Sequence, residues 1–155
     1  MKRGEVISLN KPRVIQWRDI FAIVDDGRLS VDDYREVEQA VRKQAGENPG
    51  GLGCLVILPP GATPPAPIVR RHIKDMLARL PIRCLGYAVE GTGFKGAAAR
   101  ATLIGMELFT KKRYPLVVEK DVPTALTGVL VQLGGPQRRD DGIDAHRAIA
   151  RARAA

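Results

Sequence analysis

Residues 54–89 read CLVILPPGATPPAPIVRRHIKDMLARLPIRCLGYAV, and their pattern decides the fold. The apolar run Cys54 to Leu58 reads as a buried strand, since short continuous apolar runs suit the middle of a parallel sheet. It stops at PPGATPPAP, where five prolines in nine residues forbid both ladder pairing and a regular helix. Ile68, Ile73, Met76, Leu77 and Leu80 then recur at helical spacing, and the stripe ends before Pro81. A second apolar run, Ile82 to Val89, reads as strand again. A strand, a helix and a strand in close succession make a crossover unit with parallel strands.

The same alternation extends in both directions. Upstream, GEVISL and RVIQWRD are short strand candidates separated by the turn NKP, and IFAIV, Ile20 to Val24, reads as a central strand closed by DDGR. Ser30 is a helix N-cap, with Asp32 and Asp33 in the first turn where the helix dipole favours negative charge. Val31, Tyr34, Val37 and Val41 form its apolar stripe, and the breakers of GENPGG, Gly46 to Gly51, end it. Downstream, the spacing predicts a helix from about Ala97 to Lys112, a strand in YPLVVEK, and a helix from about Val122 to Leu133 with Pro123 in its first turn.

Four strand–helix units predict an α/β fold: one mixed, mostly parallel sheet with an N-terminal antiparallel hairpin and about four helices. The expected domain covers residues 1–135. Residues 136–155 lose the apolar face and become rich in Arg and Ala, so they are expected to form a basic tail: a linker over Gly134 to Gly142, then thirteen residues that form a loosely ordered helix or stay disordered.

A chain of 155 residues suits a single core, and no apolar stretch approaches the roughly 20 residues of a membrane span. No secretory signal is read at the start, so a cytoplasmic location is expected. Cys54 and Cys84 each sit inside an apolar run and read as reduced, buried thiols; with no Cys/His clustering, no metal site is expected. The net charge of +8 lies outside the first 50 residues, which balance. It gathers at Arg70, Arg71 and Lys74, and again at Lys111, Lys112 and Arg113. Aromatic residues are only 5% of the chain and no stacking motif is present, so nucleic acid is not the expected partner.

Several phrases of the chain resemble the STAS family (sulfate transporter and anti-sigma-factor antagonist), in its SpoIIAA-like branch. DDGRLSVDDYREVEQAV is similar to the family's Gly-x-Leu approach to its first helix, and GCLVILPP is similar to its next strand. IRCLGYAVE followed by a helix, and then RYPLVVEKDVPTAL, resemble its ending. The likeness covers about residues 5–133. It implies a regulatory module that binds a protein partner and catalyses nothing, with no cofactor. Phosphorylatable members carry an Asp-Ser pair at the start of the second helix; here PPGATPPAPIVRR has neither residue, and Thr63 is its only hydroxyl.

EGTGFKG, Glu90 to Gly96, spells G-x-G-x-x-G and raises a dinucleotide-binding alternative, with Glu119 near the offset of a ribose-binding carboxylate. The motif falls too late in the order of strands for that role, and Glu90 places negative charge where a pyrophosphate would lie. The simpler reading gives Gly91 and Gly93 positive φ in a tight turn. The expected partner surface therefore comprises Thr63, Arg70, Arg71, Lys74, Gly91, Thr92, Gly93 and Lys95, at the carboxyl ends of parallel strands. Its basic character suits an acidic protein. An anionic small ligand or a lipid headgroup held in an apolar pocket, and a homodimer, are the other partners it allows.

Overall fold

Three parallel strands follow the turn at Asp25 and the two breaker-rich loops that the sequence marks. The structure, a computed structural model, describes residues 5–8, 13–91, 93 and 114–154. Its strands are β1 (Glu5–Ser8), β2 (Arg13–Trp17), β3 (Ile20–Val24), β4 (Leu52–Leu58), β5 (Ile82–Val89) and β6 (Leu116–Glu119). They form one six-stranded sheet in sequence order, with β1–β2 and β2–β3 antiparallel and the remaining pairs parallel. This is the mixed α/β sheet with an antiparallel N-terminal hairpin that the sequence predicts. The helix expected over Ala97 to Lys112 lies outside the described residues.

Helices α1 (Val31–Glu47) and α2 (Pro67–Arg79) connect β3 to β4 and β4 to β5. Both crossovers advance in the same direction across the sheet, so right-handed connection puts both helices on one face. There they bury Phe21, Ile23, Cys54, Leu85 and Tyr87. Ser30 caps α1 through a full capping box: its hydroxyl accepts from the Asp33 N–H, and the Asp33 carboxylate accepts from the Ser30 N–H. In α2 the buried stripe is Val69, Ile73, Met76 and Leu77. Ile68, expected inside, is 68% exposed. It stands five residues before Ile73, a spacing that points off the stripe, whereas Val69 stands four before it.

The opposite face is covered by α3 (Val122–Gly134), which packs Leu126, Val129, Leu130 and Leu133 onto Ile20, Leu55, Cys84 and Ala88. The two cysteines therefore face opposite sides of the sheet, and both are free, buried thiols. With helices on either side, β2 buries Val14 on one face and Ile15 and Trp17 on the other.

The chain after Leu133 departs from expectation. Residues 134–142 form no linker: a 3-10 turn, Pro136–Asp140, leads directly into helix α4 (Asp141–Ala154), which packs on α3. Ala145, Ile149 and Ala152 are buried there at 2% exposure or less. The physical reason lies in α3, which is apolar around most of its circumference and needs a second cover beyond the sheet. Small side chains let α4 approach closely, and ion pairs hold both its ends. Arg138 forks onto Asp19 at 2.8 and 3.0 Å and also reaches Asp141 at 2.8 Å, while Arg153 forks onto Glu90 at 2.6 and 2.8 Å.

Candidate functional site

Three loops leave the carboxyl ends of β3, β4 and β5, and glycines seat them against one another. Gly27, at φ 89°, lies so close to Thr63 that a Cβ would overlap the Thr63 carbonyl oxygen. The Thr63 N–H donates to the Asp26 carbonyl at 3.1 Å, closing the contact. Gly91, at φ 100°, packs against Pro60, which a Cβ would meet at 3.1 Å. The Pro-rich segment Pro59–Ala66 is thus held from both sides.

Of the residues expected at the partner surface, Thr63 is exposed at this corner, Arg71 is exposed on α2, and Lys74 and Arg70 are half-buried beside it. Gly91 and Gly93 both take positive φ, as the turn reading requires, and Gly93 is exposed. Thr92 and Lys95 lie outside the described residues. Glu90, the acid that counted against a pyrophosphate, is committed to Arg153. His72 on α2 is half-buried, and its Nε2 is buried without a hydrogen-bond partner.

Beneath the loops is a cavity of about 40 Å³. Two rungs of the sheet form its floor: Cys54 beside Leu85, and Ile23, Val56 and Tyr87 across β3, β4 and β5. Its roof is Tyr34 of α1 with Arg70, Ile73, Met76 and Leu77 of α2, and Pro65 completes the lining. Asp25 stands at its edge, in phase with Phe21 and Ile23 and therefore directed to the same face.

Asp25 is 4% exposed and both its oxygens are used: one accepts from the Gly27 N–H at 2.8 Å, the other from the Tyr34 hydroxyl. Burial pushes the Asp25 carboxyl above its usual range, and the Tyr34 and Gly27 hydrogen bonds offset part of that shift. Burial and then the charge of Asp25 raise Tyr34 well above an ordinary phenol. Burial likewise raises Tyr87 and the Cys54 thiol, so Cys54 stays protonated and is no nucleophile. Cys84, on the other face, is pushed up to about 11 by burial.

Arg70 is the exception to this internal pairing. Its Nε is buried with no hydrogen-bond partner, although the residue as a whole is only half-buried. The acidic cluster around Gly27 has local uses instead: Asp26 accepts from the Arg28 N–H, Asp32 pairs with Arg35, and Asp33 closes the capping box. Among the described residues, no three His, Cys, Asp or Glu side chains gather as a metal site, and no helix is long and apolar enough to cross a membrane.

The sequence put Arg70 on the outer partner surface and did not mark Asp25, Tyr34 or Tyr87 as lining a cavity. The signal for Asp25 was present in its phase: an acid two residues beyond Ile23 continues the buried side of β3. Comparisons with protein-family models, with curated proteins and with solved structures give no match.

Proposed function

We propose that this protein is a non-enzymatic regulatory module of STAS type, working in the cytoplasm, that receives an acidic protein partner on the carboxyl-edge loops and the exposed face of α2. The observation that carries the reading is the fixing of the Pro59–Ala66 loop by Gly27 on one side and Gly91 on the other. A loop already held in shape loses little further entropy when a partner docks. Ile68, 68% exposed, and Arg71, also exposed, lie just beyond it and offer an apolar anchor beside positive charge. The order of strands and helices agrees with the family resemblance of the sequence, and lends it further support. Thr63 is exposed at the loop's corner but lacks the Asp-Ser context of the phosphorylatable members, so the partner is held without that switch.

The test is affinity capture from the native cell with mass spectrometry, comparing wild type with Arg71→Glu/Lys74→Glu. A partner with an acidic surface that is lost in the variant and released by salt supports the reading. An identical set of captured proteins from both rejects it.

A further inference from the structure

The cavity under α2 has a chemical asymmetry that the partner surface does not use. Its walls are mainly aliphatic and aromatic, and Asp25 is fully engaged by Tyr34 and Gly27. Arg70 brings to it a permanently charged guanidinium whose Nε is buried with no hydrogen-bond partner. A buried donor left unmade is costly, and the ion pairs among the described residues do not include Arg70. The missing component is therefore an acceptor, and a charged one.

We propose that the cavity binds a small organic monocarboxylate, with its apolar body between the sheet and α2 and its carboxylate paired to Arg70. Size and charge select this class. A volume of about 40 Å³ exceeds the roughly 10–15 Å³ that one water needs but falls well short of the roughly 150 Å³ that holds a benzene ring, and so admits a short aliphatic body but no ring, nucleotide or phospholipid. One guanidinium balances one negative charge. A phosphate, with more charge, would meet a single cation and the nearby Asp25 carboxyl. Pro65, Arg70 and Val56 are the half-buried members of the lining, while Ile23, Ile73, Met76, Leu77 and Leu85 are buried, so solvent reaches the cavity at the Pro65 and Arg70 side rather than through its core wall. The carboxylate then sits at the rim and the body inside, the arrangement usual for small-molecule sites.

The experiment uses the full chain with propionate and butyrate as probes, and propionamide and propanol as uncharged controls. Thermal unfolding should show a concentration-dependent rise in Tm with the acids and little with the controls. The methyl resonance of Met76, which lines the cavity, should move as the acids bind. Arg70→Gln should weaken binding at least about tenfold, the loss of one charge-assisted pair, while Arg70→Lys retains part of it. Arg71→Glu/Lys74→Glu, which tests the partner surface, should leave the acids' effect unchanged, because neither residue lines the cavity. The inference is overturned if neither acid shifts Tm or the Met76 methyl, if the controls act equally, or if Arg70→Gln responds as wild type does. The methyl shift is read on the unaltered protein, so a poorly folding variant would not leave the question open.

Discussion

Gly86→Ala examines how α3 meets the sheet, and its outcome can be worked from the packing. Val129 is fully buried and lies over two neighbouring strands. A Cβ on Gly86 would meet Val129 Cγ2 at 2.5 Å and Leu55 Cδ1 at 3.3 Å, and one on Gly53 would meet Val129 Cγ1 at 2.7 Å. Gly86 is not among the positive-φ glycines, so its backbone accepts alanine and only the packing resists. Overpacking of this kind costs about 1–3 kcal/mol. Alanine recovers about 0.5–1 kcal/mol, because glycine loses more backbone freedom on folding. The net is a loss of up to about 2.5 kcal/mol, which in a domain of this size lowers Tm by up to about 10 °C. Val129→Ala alone should cost about 2 kcal/mol through two lost methyl groups and the void they leave. In the double variant the new methyl occupies part of that void, so the combined loss should fall at least about 1 kcal/mol short of the sum. Urea denaturation of the four proteins measures the cycle. Strictly additive losses, or a Gly86→Ala more stable than wild type, would refute the argument.

Three further outcomes follow from particular contacts. Ile149→Ala should cost about 2–5 kcal/mol in urea denaturation, because Ile149 is 2% exposed between α4 and α3; wild-type stability would mean that the C-terminal helix does not pack as described. Gly27→Ala combines a φ of 89° with overlap on the Thr63 carbonyl, so it should cost more than about 2 kcal/mol and speed proteolytic cleavage within Pro59–Ala66; an unchanged cleavage rate would contradict the seating of that loop. Asp25 titrates near 3.8 in the unfolded chain and higher in the fold, so between those values the folded chain holds the extra proton and stability falls as pH rises. Asp25→Asn can still accept from the Gly27 N–H and can donate to the Tyr34 oxygen, so it should remove that slope in urea midpoints measured upward from pH 3.8; identical profiles for the two proteins would count against a raised carboxyl.

How far the structure could be read from the sequence depended on whether the cause was local. Strand β5 runs Ile82–Val89, the bounds its apolar run suggests, because Pro81 and Glu90 interrupt the pattern on either side. The cap at Ser30 was equally legible, since hydroxyl and carboxylate stand three residues apart. The C-terminal helix was not. Ala145 and Ala152 look too small to order a segment until α3 is known to need covering, and Arg138 and Arg153 look like surplus charge until Asp19 and Glu90 are brought to them by the fold. Only the assembled sheet brings a residue 119 positions away into contact with Arg138.

Arg70 falls between these cases and shows what spacing can still reveal. Three basic residues, Arg70, Arg71 and Lys74, looked equivalent as a cluster. Their phases along α2 differ. Arg70 precedes Ile73 by three and Leu77 by seven, which places it at the margin of the buried stripe, while Arg71 falls a further 100° or so around the helix. A long side chain at that margin can run along the apolar surface, and the buried Nε of the half-buried Arg70, which lines the cavity, fits that course. Composition alone assigns all three to a solvated basic face. Phase separates the one that lines the cavity from the exposed Arg71 and from Lys74, which lines no part of it. The same separation makes the two proposals independent: charge reversal at Arg71 and Lys74 reports on the outer surface, and Arg70→Gln with a carboxylate probe reports on the interior.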